Sequence, residues 1–121
     1  MKTKILLMFV LLSSLTACER DGESGNLIVA IDNTANTSGV YTILIDGKSN
    51  GSIVREPNFK ASNYVNCGDD WVKISKTTNV SVVTGVSGGK HKVELQRQGN
   101  KVIVTSWDID FDKCKKLVAV F

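Results

Sequence analysis

Residues 40–56 read "VYTILIDGKSNGSIVRE". "VYTILI" (40–45) is rich in β-branched and aromatic residues, and Asp46-Gly47 is a strong hairpin-turn dipeptide. "GSIVRE" (51–56) returns from that turn, and Pro57 ends the pairing because it has no N–H to donate. A strand–turn–strand unit is therefore expected, and the same grammar recurs along the chain. "LIVAI" (27–31) is a strand followed by the polar loop "DNTANTSG". "WVKIS" (71–75) and "VSVVTGV" (80–86) read as strands separated by "KTTN". "KHKVELQRQ" (90–98) alternates, with Val93 and Leu95 on one face and Lys92, Glu94 and Gln96 on the other. "QGNK" turns it into "KVIVTSWDIDF" (101–111), and "KKLVAVF" (115–121) closes the chain. No stretch carries a helical period. About eight short strands with turn signals every 8–12 residues predict an all-β fold, a small antiparallel β-sandwich of immunoglobulin-like type. A small closed β-barrel is the alternative.

The chain has 121 residues, room for one domain with a modest core. It carries 15 basic and 12 acidic side chains, a formal net charge of +3. Lys2 and Lys4 precede the apolar run "ILLMFVLL" (5–12), the layout of a secretory signal peptide and too short for a bilayer span of roughly 20 residues. Without those two lysines, 13 basic side chains face 12 acidic ones. A near-neutral domain lacks the basic face that nucleic acid requires, so no nucleic-acid partner is expected.

Leu15-Thr16-Ala17-Cys18 closely resembles the lipobox of bacterial lipoproteins, in which a branched residue and two small ones precede the lipid-accepting cysteine. The resemblance implies that residues 1–17 are removed and that Cys18 becomes the lipidated first residue, diacylated on sulfur. Two or more acyl chains hold a protein stably at a membrane. By the same resemblance Glu19, which is not Asp, favours delivery to the outer membrane. Residues 18–26, "CERDGESGN", then read as a flexible tether reaching at most roughly 25 Å beyond the cysteine, and 27–121 as the head. With Cys18 consumed by lipid, Cys67 and Cys114 are an even pair in an oxidising compartment, without the C-x-x-C spacing of a redox site, and a structural disulfide is expected.

The hairpin "VYTILIDGKSNGSI" and the later "VSGGKHKVELQRQGN" resemble the strand–Asp-Gly-Lys–strand and G-x-H-x-V-x-V segments of PEGA-type and related immunoglobulin-like bacterial modules. The chain departs from the PEGA signature at Ser52-Ile53, where that family has Thr-Pro. The resemblance implies a fold and names no ligand.

Candidate chemistry is sparse. His91 is the sole histidine. A hydrolase dyad would pair it with Ser87 or a thiol, but no G-x-S-x-G elbow is present, and zinc would need more ligands than remain. His91 therefore reads as a surface or strand-end residue. Asp108, Asp110 and Asp112 fall at period 2, so a strand would place all three carboxylates on one face as a candidate cation site. Solvated strand face is the plainer reading, with Lys113, Lys115 and Lys116 as counter-charge. An EF-hand is excluded by Lys113 at the sixth loop position. Asp69, Asp70 and Trp71 after Cys67 could form an exposed acidic–aromatic binding loop, although a tryptophan opening a strand in a small sandwich belongs more often to the core.

No cofactor is expected. The leading functional expectation is non-enzymatic: a lipid-anchored envelope protein whose head binds a protein or glycan partner through a strand edge or the Cys67–Asp70 loop. Small lipoproteins of this kind serve as accessory subunits of envelope assemblies or as inhibitors of host attackers. The alternatives are a small envelope hydrolase and a structural spacer.

Overall fold

The computed structural model describes residues 22–121; the expected signal segment, the lipobox-like residues 15–18 and the expected lipidation of Cys18 lie outside them. Eight strands form two sheets: β1 (Gly25–Asn33), β2 (Gly39–Ile45), β3 (Lys48–Arg55), β4 (Phe59–Lys60), β5 (Val80–Val86), β6 (Gly89–Arg97), β7 (Ile103–Phe111) and β8 (Cys114–Val120). One sheet runs β3-β2-β6-β7, antiparallel throughout. In the other, β1 is central, pairing with β5 and β4 antiparallel and with β8 parallel. The fold is a β-sandwich and not a closed barrel, and the β1–β8 pair makes one of its sheets mixed.

The core lies between the sheets. Leu27, Val29 and Ile31 of β1 meet Tyr41 and Ile43 of β2, Ile53 of β3, Val93 and Leu95 of β6 and Ile109 and Phe111 of β7. The alternation anticipated for β6 and for the Trp107–Phe111 face holds: Ile109 and Phe111 are buried, and Trp107 packs against them partly covered. Asp46 (φ 52°) and Gly47 (φ 79°) both take left-handed backbone, as a type I′ hairpin turn requires.

"LIVAI" is apolar without interruption because β1 is buried on both faces. Ile28 and Ala30 point away from the sheet interface into a second cluster with Ala61, Val65 and Ile74. These come from the segment 59–77, where the sequence predicts a long loop after Pro57 and a strand at 71–75. It holds β4, a 3₁₀ turn (Ala61–Asn63) and a short helix, α1 (Trp71–Ser75). "WVKIS" is thus helical and not extended. Asp70 caps it, its Oδ1 accepting the Val72 N–H at 3.2 Å. Ile74 is the only α1 side chain that reaches the cluster; a strand would place Val72 and Ile74 on the same face.

Three devices hold this segment to the sandwich. Cys67 and Cys114 form a disulfide, 47 residues apart in sequence. Lys116 on β8 donates from Nζ to the Val65 carbonyl (3.1 Å), the Ser62 carbonyl (3.3 Å) and Asn66 Oδ1 (2.9 Å). Asp32 accepts from both the N–H and the hydroxyl of Ser62. The chain is built into the head earlier than the expected boundary at Leu27. Glu23 N–H donates to Asp112 Oδ1 (2.9 Å), and β1 begins at Gly25, where a Cβ would fall 1.8 Å from the Lys113 carbonyl oxygen. That close approach requires glycine.

Candidate functional site

Three groups of side chains carry the chemistry that the sequence raised. The first surrounds His91 on β6. Its Nδ1 lies 2.6 Å from Asp46 Oδ2, its Nε2 lies 2.8 Å from the Ser87 carbonyl oxygen, and Ser87 Oγ is 3.2 Å from the same Nε2. Serine, histidine and aspartate are therefore in line, an arrangement hidden in the sequence because Asp46 is 45 residues from His91. It forms because β2 and β6 are neighbours and Ile45 is paired with Val93, which brings the Asp46 turn beside His91.

The resemblance to a catalytic triad ends at the proton. Both ring nitrogens face oxygen acceptors, so the ring is best served by two N–H donors, the imidazolium form. The hydrogen bond to the Asp46 carboxylate and then that to the Ser87 carbonyl raise the His91 pKa above its ordinary value, against the opposing effect of burial. The Lys92 backbone N–H, followed by His91, lowers that of Asp46. In that protonated form the ring would have no lone pair with which to take the Ser87 proton. These hydrogen bonds also fasten the β2–β3 turn to the start of β6.

The second group is the aspartate run. Asp108 and Asp110 share the outer face of β7, in register with Lys92 and Lys90 respectively on β6. With Asp46 and His91 they line an open hollow of about 560 Å³. Asp112 is not with them: it lies past the end of β7 in the turn to β8, where it holds Glu23. Lys90 and Lys92 are their cross-strand neighbours, so opposite charges alternate on this face. Among the described residues no group of three or more His, Cys, Asp or Glu side chains forms a metal site.

The third group is the Asp69-Asp70-Trp71 stretch. Asp69 Oδ2 accepts from the Asn66 N–H at 2.9 Å and Asp70 caps α1, so both carboxylates organise the local chain. Trp71 is 38% exposed and Val72 58%, against the expectation of a core tryptophan. They rim a hollow of about 350 Å³ with Asn26, Ser75, Val82 and Thr84. Tyr64, on the same pinned segment, is 55% exposed and stacks on Phe59 with ring centroids 5.2 Å apart.

No protein-family model matches the chain, and no curated protein or solved structure is significantly similar to it. Its site must be read from its own chemistry. Among the described residues no helix is long and apolar enough to cross a membrane.

The sequence gives no signal for the roles of Arg55, Asn33 and Asn79, and Lys116, expected as counter-charge for the aspartates, instead donates to Ser62, Val65 and Asn66. Asn33 and Asn79 are buried polar residues that satisfy backbone groups. The Asn33 amide donates to the Thr37 and Glu56 carbonyls, and Asn79 Oδ1 accepts the Glu56 N–H at 2.6 Å. Polar residues at strand ends carry no sequence signal that separates such roles from plain exposure.

Proposed function

We propose that this protein is a lipid-anchored bacterial envelope lipoprotein that binds another envelope protein without catalysing a reaction. The anchoring rests on Leu15-Thr16-Ala17-Cys18 and the signal-like segment before it. The binding role rests on one observation: Trp71 and Val72 are exposed on a segment that a disulfide, Lys116 and Asp32 hold in place. Large apolar side chains presented on a rigid platform lose little entropy on docking and are favoured at protein interfaces. Lys73, Lys76, Asp69 and Asp70 surround them in the chain, an apolar centre with a mixed polar rim. That pattern suits a protein surface better than a sugar.

The decisive experiment places a photo-cross-linking residue at Val72 in the full chain in cells, with a second at Lys48 in the opposite sheet as control. One partner captured from position 72 and absent from 48 is the expected result. The same products from both positions, or none from 72, would overturn the reading. Palmitate labelling that Cys18→Ser abolishes checks the anchor separately. The hydrolase alternative draws on the Ser87–His91–Asp46 line, and the doubly hydrogen-bonded ring argues against it.

A further inference from the structure

At the opposite end of β1 from the Trp71 hollow, the inward face of the β3-β2-β6-β7 sheet opens into a recess of about 420 Å³. It is lined by Thr37, Ser38, Gly39, Tyr41, Arg55 and Arg97. The register explains the composition. Arg55 lies opposite Gly39 and Arg97 opposite Tyr41, so both arginines flank β2 on the face that carries Tyr41 into the core. We infer that this recess binds a carboxylate-bearing sugar unit, with Arg55 holding the carboxylate and Arg97 adding charge at the rim.

The Arg55 guanidinium is fixed in place before any ligand arrives. Nη1 donates to the Tyr41 hydroxyl at 3.1 Å and Nη2 to Asn33 Oδ1 at 3.2 Å, while its carbon lies 4.2 Å above the Phe121 ring. Phe121 in turn stacks on Tyr41 at 5.5 Å. The side-chain groups that Arg55 touches are neutral. Among the described residues the ion pair formed is His91–Asp46, at the other end of the sheet. Arg55 thus carries a partly buried charge that no described carboxylate compensates, and no acidic residue lines the recess.

Each terminal nitrogen has a second N–H beyond its bond to Tyr41 or Asn33. Two parallel donors on a planar guanidinium fit the two oxygens of one carboxylate. Nε is buried and unpartnered, so the guanidinium forgoes one neutral hydrogen bond of its own. A buried cation in this state gains more from an anion than a solvated one does. The volume is within the range of small-molecule sites, and the hydroxyls of Thr37 and Ser38 at the rim suit sugar hydroxyls. Gly39 keeps the recess open, because a Cβ there would stand 3.6 Å from the Tyr41 hydroxyl. Its backbone is ordinary strand, outside the positive-φ residues, so a side chain can be added without strain.

The recess lies about 23 Å along β1 from Asn26 at strand rise, well separated from the Trp71 hollow.

The test titrates the full-length protein in detergent with glucuronate, glucose, acetate and inorganic phosphate by calorimetry. Arg97→Gln and Gly39→Val are compared with wild type, with thermal unfolding to verify folding; neither residue supports the core as Arg55 does. Glucuronate binding tighter than every other probe, and weakened about tenfold in both folded variants, is expected, the scale of one charge-assisted contact. Glucose or phosphate binding as tightly as glucuronate, glucuronate failing to bind, or both variants binding like wild type would overturn the assignment.

Discussion

Replacing Cys67 and Cys114 together by serine tests how the head is held. The bridge closes a loop across 47 residues of sequence, and in the chain-entropy model a loop of that length is worth about 4 kcal/mol through the unfolded state. The native contacts near the bridge survive without it. Lys116 still reaches the Val65 carbonyl, Asp32 still holds Ser62, and Ile74 stays in its cluster. The loss should therefore appear in the unfolding free energy with the folded structure intact. A domain of this size has a net stability of roughly 5–15 kcal/mol, so the double variant keeps a folded state with a much smaller margin. Urea unfolding followed by circular dichroism should show the midpoint falling by about 2 M for a slope near 2 kcal/mol/M. Heating should show a fall in Tm on the order of 15–30 °C. Near-ultraviolet spectra of the two proteins should superimpose at low urea. A midpoint shift under about 0.5 M with identical native spectra would refute the entropic reasoning and place the restraint in the Lys116 and Asp32 contacts.

Two further outcomes follow from named contacts. Ile74→Ala removes the single side chain by which α1 is anchored beneath the second cluster. It should cost about 2–4 kcal/mol in urea unfolding, whereas Val72→Ala, in the exposed position, should cost under about 0.5 kcal/mol. The His91–Asp46 pair makes stability depend on pH. Because the folded His91 pKa is raised, its contribution is complete below the unfolded value of 6.5 and disappears as pH rises through the folded value. Asp46, lowered in the fold, contributes above 3.8 and loses that contribution as pH falls through its folded value. An exposed pair of this kind is worth at most about 1 kcal/mol. The unfolding midpoint of wild type should decline slightly as pH rises from 6.5 through the folded His91 value, and His91→Gln should remove that decline; an unchanged slope in the variant would show the pair to be energetically silent.

The strands were legible because their signals are local. Asp46-Gly47 selects a hairpin by backbone conformation alone, and "KHKVELQRQ" declares its faces through side-chain alternation. The helix at 71–75 was not legible. Five residues give too little periodicity, and its start depends on Asp70 capping a segment already positioned by Cys67. Trp71 was misplaced for the same reason: read as the first residue of a strand it belongs to a core, but on α1 the buried position falls to Ile74. The aspartates at 108, 110 and 112 share a period, yet the strand ends after Phe111 and sends the third elsewhere. The serine–histidine–aspartate line could not be read, because it depends on which strands are neighbours.

From sequence alone come the all-β class, the hairpin turn, the pairing of Cys67 with Cys114 once Cys18 is set apart, and the address that Leu15-Thr16-Ala17-Cys18 resembles. Each is encoded by residues close together or by counting. Tertiary structure alone decided that β8 lies parallel to β1, that 59–77 packs over the outer face of β1, and that Arg55 and Arg97 flank β2 at one recess. Those depend on register between strands far apart in the chain. Many registers satisfy the same alternation of apolar and polar residues, and only the packing of the whole core selects one.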